Sequence, residues 1–122
     1  MGEEKFLSEK EKKIKKEIQK LQKIFKNIDA DRKQVIQRQI ENVAFMSVSL
    51  DELQKIINEK GYVEIYQNGQ NQSGVKETSE VRIYNTILKN FNSSLKQLID
   101  LLPEQEVQQQ ADEFDNFLKN KP

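Results

Sequence analysis

Nine carboxylates stand in close groups along the chain: Glu9 with Glu11, Asp29 with Asp31, Asp51 with Glu52, and Asp112, Glu113 and Asp115 together. Paired carboxylates can hold a divalent cation or exchange protons. Each group, however, falls at an expected helix start or in a polar tail, where an acid meets the positive end of a helix dipole. That structural role accounts for them without chemistry. The rest of the usual catalytic set is missing, because the chain has no Cys and no His. It therefore offers no thiolate nucleophile, no imidazole base and no disulfide or thiolate metal site. Gly69 and Gly74 match neither P-loop nor dinucleotide spacing, and no Gly-Lys-Ser or Gly-Lys-Thr follows them. The expectation is a protein that is not an enzyme, with no catalytic residue, no metal and no cofactor.

The basic side chains are the stronger signal. Lys12, Lys13, Lys16, Lys20 and Lys23 crowd one stretch, and Arg32, Lys33 and Arg38 follow within about four turns of helix. The 20 basic and 20 acidic residues cancel to a formal net charge of zero. That total hides a distribution: residues 1 to 26 hold nine Lys against five Glu, residues 99 to 122 hold six acids against two Lys, and the middle holds nine of each. A +4 end and a −4 end point to different partners, a polyanion for the first and a basic protein surface for the second. The plain alternative for the lysines is a solvated helix face, since charge runs commonly serve solubility. Nothing in them reads bases.

Helices must position these groups. Ser8 and Glu11 have the capping-box spacing of a helix start, and Ile14, Ile18, Leu21, Phe25 and Ile28 then recur as one apolar stripe flanked by lysines. Asn27 to Asp31 interrupts that stripe, and Asp31 with Gln34 repeats the capping spacing, so a second helix is expected from Asp31 to about Val48. Ser49 and Glu52 form another such pair, predicting a third helix that ends at Gly61. Tyr62 to Tyr66 favours strand, and the Gln- and Asn-rich stretch with two glycines behind it predicts a loop or hairpin over about 62–77. Thr78 or Ser79 then caps a long helix through Val81, Tyr84, Ile87, Leu88, Phe91, Leu95, Leu98, Ile99 and Leu102, stopped by Pro103. Phe114, Phe117 and Leu118 anchor a short acidic helix in the tail.

The expected fold is thus all-α, with four to five amphipathic helices and one irregular or hairpin-like excursion. A helical domain spans 1–103, and an acidic, Gln-rich tail spans 104–122. Leu, Ile, Val and Phe supply 35 of 122 residues, enough to fold one domain. No apolar run is long enough to span a membrane, and charges stand where a signal peptide needs an apolar core, so an intracellular, non-secreted protein is expected. Ala44 to Leu53 has the order of a helix-turn-helix, but the second helix would present Asp51 and Glu52 to phosphates and the turn lacks a Gly. Helix packing is the preferred reading there.

Several segments together resemble the small terminase subunits of tailed bacteriophages, particularly those of Gram-positive hosts. They are Ile40-Glu41-Asn42-Val43-Ala44-Phe45-Met46, Leu50-Asp51-Glu52-Leu53, Asn58-Glu59-Lys60-Gly61 and Tyr66-Gln67-Asn68-Gly69-Gln70-Asn71-Gln72-Ser73-Gly74-Val75-Lys76. Tyr84-Asn85 and Lys96-Gln97-Leu98-Ile99-Asp100-Leu101-Leu102-Pro103 follow, so the likeness spans roughly residues 9 to 103. Many relatives place a Pro before the long helix where this chain has Ser79. The resemblance implies a non-enzymatic, ring-forming homo-oligomer in the host cytoplasm that binds viral double-stranded DNA and recruits and regulates the large ATPase and nuclease subunit. The lysines and arginines named above are the expected DNA contacts. Asp112, Glu113, Phe114, Asp115, Phe117 and Leu118 are the expected contacts to the large subunit. The alternative is a coiled-coil adaptor that pairs with helical partners and never touches nucleic acid.

Overall fold

The computed structural model describes residues 8–70, 72–102 and 113–119. In order, these form α1 (Glu9–Ile24), α2 (Ala30–Lys60), β1 (Val63–Gln67), β2 (Ser73–Glu77), α3 (Ser79–Asp100) and a short helix α4 over 113–119. The helical expectation holds, but the fold is not purely all-α. β1 and β2 pair antiparallel with Val63 opposite Glu77 and Ile65 opposite Val75. β-branched and aromatic residues on β1, with Val75 facing Ile65 from β2 and a turn at Asn68-Gly69, favour a hairpin over a bare loop.

α1 starts as its sequence dictates. The Ser8 hydroxyl accepts from the Glu11 amide at 3.0 Å, and the Glu11 carboxylate accepts from the Ser8 amide at 3.2 Å. Two amides that a helix start leaves unpaired are thereby satisfied. α2 begins two residues earlier than its capping pattern suggests, because Asp29 is the residue in extended conformation and its carboxylate accepts from the Arg32 amide at 2.9 Å. Asp31 instead lies in the first turn, where it meets the helix dipole.

The expected break at Ser49 does not occur. α2 runs unbroken for 31 residues, so the second and third helices of the sequence reading are one, and no helix-turn-helix turn exists at 44–53. Ser47, Val48, Ser49 and Leu50 are all buried. A turn there would strip hydrogen bonds from backbone groups that water does not reach, and each such loss is costly. The Ser49 hydroxyl caps nothing; it has no hydrogen-bond partner among the described residues. A local capping pattern thus loses to burial.

α2 is the spine, with α1 along one side and α3 along another. Gln37 on the α1 side bonds Gln22 at 3.2 Å, and Gln39 on the α3 side bonds Gln97 at 2.6 Å. Between the helices lie Leu21, Phe25, Ile36, Ile40, Val43, Phe91, Leu95 and Leu98, all buried in one cluster. Each fully buried side chain of this kind contributes about 1.5–3 kcal/mol of transfer free energy. α4 adds to the same cluster. Phe114 stands edge-on to Phe25 with ring centroids 5.9 Å apart, and Phe117 is also buried.

The hairpin is hitched to the bundle at its base. Gly61 ends α2 with φ at 92°, a backbone conformation that side-chain-bearing residues rarely adopt. Thr78 is the N-cap of α3, yet its hydroxyl does not cap; it donates to the Gly61 carbonyl at 3.3 Å while its amide donates to Tyr62 at 3.0 Å. Lys60 reaches across to Glu80 at 2.9 Å, joining the end of α2 to the start of α3.

Candidate nucleic-acid interface

With α1 registered by its capping box, a repeat of about 3.6 residues per turn sends Ile14, Ile18 and Leu21 inward and Lys12, Lys16, Lys20 and Lys23 to the opposite side. These four lysines and Lys13 are all exposed, and Lys15 and Lys26 flank them. Lys12 meets Glu9 and Lys20 meets Glu17, each at 3.3 Å with i,i+3 spacing. Among the described residues, no ion pair holds Lys13, Lys16 or Lys23. Lys12, Lys16 and Lys20 stack at i,i+4, a like-charge arrangement that costs about 0.2–0.5 kcal/mol per neighbouring pair. A bound polyanion would relieve that repulsion.

The second basic group is not gathered onto this face. Lys33 lines a groove between α1 and α2 with Gln22, Phe25, Lys26, Ile36 and Gln37. Arg32 stays beside Asp29 at 3.9 Å, in the first turn of α2. Arg38 is exposed between Gln37, which faces α1, and Gln39, which faces α3, and so stands on the outer side of α2. The structure therefore assembles the five α1 lysines, brings Lys33 to their edge and leaves Arg32 and Arg38 apart.

Residues 113–119, the described part of the acidic tail, lie in an unexpected place. Glu113 and Asn116 of α4 line a shallow cleft with Lys20, Lys23, Ile24 and Phe117. Glu113 of α4 is thus a neighbour of Lys20 and Lys23, and its carboxylate tempers the C-terminal half of the lysine face. In the N-terminal half Lys12 meets Glu9, and Lys13 lines a groove between α1 and α2 with Glu17, Asp51 and Glu52. Of the residues expected to dock the large subunit, Phe114 and Phe117 are buried in the chain's own core and are not offered to a partner in this fold. Glu113, Asp115 and Leu118 are exposed, and Asp112 lies outside the described residues.

The remaining carboxylates have structural occupations. Glu9, Glu11 and Asp29 serve helix starts, and Glu52 bridges to Lys10 of α1 at 3.0 Å. Lys10 also stands 4.6 Å from the centre of the Phe45 ring. Among the described residues, no three Asp, Glu, His or Cys side chains converge as a metal site requires, and no helix is long and apolar enough to cross a membrane.

Two features escape the periodicity of the sequence. The hairpin presents Val63, Ile65 and Val75 on one face, with Ile65 81% exposed, whereas its other face pairs Lys76 with Glu64 at 3.7 Å and sets Lys76 near the Tyr66 ring. Near its base, Gln54, Asn58, Tyr62, Tyr84 and Asn85 line a second cleft. The run of β-formers at 62–66 is visible in the sequence; that Val63 and Ile65 stay uncovered among the described residues is not. Comparisons with protein-family models, curated proteins and solved structures return no match for this chain.

Proposed function

We propose that the chain is a small terminase subunit: a non-enzymatic phage protein that binds double-stranded viral DNA as a homo-oligomer and regulates the large ATPase and nuclease subunit. The observation that carries this reading is the lysine face of α1, where Lys12, Lys16, Lys20 and Lys23 point away from the core and Lys13 stands at the α2 flank, in a groove shared with Glu17, Asp51 and Glu52. Lysines so presented contact phosphates without sequence preference. A ring of copies multiplies one modest face into a strong one, so a neutral protomer still binds DNA through avidity. The exposed hairpin face of Val63, Ile65 and Val75 supports self-association, because a solitary two-stranded hairpin gains little stability in water. On this reading Glu113, Asp115 and Leu118 remain as tail contacts for the large subunit, with Phe114 and Phe117 holding α4 in place.

Native mass with and without duplex DNA tests the proposal. A closed assembly of many copies that gains mass with DNA is the expected result. A monomer or dimer indifferent to DNA overturns it in favour of the helical adaptor.

A further inference from the structure

We propose that the hairpin tip reads base edges in a DNA groove, through the side-chain amides of Asn68, Gln70 and Gln72; this rests on the DNA binding proposed above. From Gln67 to Val75 the chain has no charged residue, and the tip is built almost wholly of amides and glycine. The fold requires little of this. Gly69, at φ 85°, supplies the turn conformation, and Asn68 closes it with its backbone N–H donating to the Gln72 carbonyl at 2.6 Å. Gln67 donates to the Gly69 carbonyl at 3.0 Å. Turn chemistry thus explains Asn68, Gly69 and Gln67, but glutamine is neither a turn former nor a strand former, and Gln70 and Gln72 have no such role. The side chains of Asn68, Gln70 and Gln72 are exposed and make no hydrogen bond among the described residues. A carboxamide carries a donor and an acceptor side by side, the pattern that matches the N6 and N7 edge of adenine in the major groove. A two-stranded antiparallel ribbon is also an element that the major groove admits.

Placement supports the division of labour. The Lys10–Glu52 contact sets the start of α1 beside α2 eight residues before Lys60, about 12 Å from the end of that helix. The hairpin therefore leaves the bundle at the same end as Lys12, Lys13 and Lys16, and its five-residue strands extend about 17 Å. A duplex lying on the lysines of one copy must then meet the tip of that copy or of its neighbour in the assembly. Phosphate contacts from α1 would position the DNA, and the uncharged tip would specify it.

The test is selection from a library of randomised duplexes by the full-length protein, compared with the triple variant Asn68→Ala, Gln70→Ala, Gln72→Ala. Among the described residues no side-chain-bearing residue has positive φ, so alanine fits these positions without strain. Wild type should enrich a motif containing A·T pairs, and the triple variant should lose at least about fivefold of that discrimination with the salt dependence of bulk affinity unchanged. An identical motif from both proteins, or no motif from a wild type that binds DNA, overturns the tip assignment and spares the proposed function. Loss of self-association in the variant with its motif intact also overturns it, and shows the tip to be a protein contact. A wild type that binds no duplex overturns both.

Discussion

Neutralising the free end of the lysine face should change how binding depends on salt, by an amount the geometry sets. In the variant Lys12→Gln, Lys13→Gln, Lys16→Gln, three exposed charges are removed from the first turns of α1, two opposite its packed stripe and Lys13 at the α2 flank. If each touches one phosphate, the slope of log affinity against log salt becomes shallower by about 2.7, from roughly 0.9 per contact. Between 50 and 200 mM salt the wild type then loses about 40-fold more affinity than the variant does. The variant keeps its fold: glutamine is about as good a helix former as lysine, and removing the Lys12, Lys16 and Lys20 stack relieves a few tenths of a kcal/mol of repulsion. Fluorescence anisotropy on a labelled duplex across a salt series measures the slope, and thermal melting checks the fold. An unchanged slope in a folded variant refutes the assignment of α1 to DNA, and the groove containing Lys26 and Lys33 becomes the next surface to neutralise.

Phe114→Ala and Phe117→Ala should each lower the unfolding free energy by roughly 3 kcal/mol in denaturant titrations, since both rings belong to the main core; a free docking arm would leave stability unchanged. Ser8→Ala should cost about 1 kcal/mol through the lost capping box, whereas Ser49→Ala should be neutral or stabilising, because its buried hydroxyl has no partner to lose. A cost at Ser49 equal to that at Ser8 would restore the helix break. The Lys60–Glu80 contact predicts a bell in pH. Its hydrogen bond raises the Lys60 ammonium above its ordinary pKa and, with the Glu80 backbone amide, lowers the Glu80 carboxyl. The Lys60 contribution is complete below the unfolded ammonium pKa and is lost as pH rises through the folded one; that of Glu80 is complete above the unfolded carboxyl pKa and is lost as pH falls through the folded one. The melting-temperature difference between wild type and Lys60→Gln should therefore peak near neutrality and shrink at both extremes, and a pH-independent difference refutes the contact.

Local pattern carried much of this molecule. The Ser8 and Glu11 pair, the stripe from Ile14 to Ile28, Gly61 as the stop of α2 and the apolar spacing from Val81 to Leu102 depend only on residues within a turn or two of each other. Such features are legible because caps and helical periodicity are short-range physics. The lysine side of α1 follows from the same periodicity, as the complement of its buried stripe. Long-range packing decided the rest. Ser49 and Glu52 have the same spacing as Ser8 and Glu11, yet one pair starts a helix and the other lies inside one, since only the second is enclosed by neighbouring helices. Phe114 and Phe117 look like a partner's anchor in sequence and become part of the core because Phe25, nearly ninety residues earlier, stands beside them. That same docking brings Glu113 to Lys20 and Lys23, residues of opposite charge about ninety positions apart in the sequence. Periodicity says which side of an element is apolar, and only the assembled fold says what covers it; for Val63, Ile65 and Val75, nothing among the described residues does.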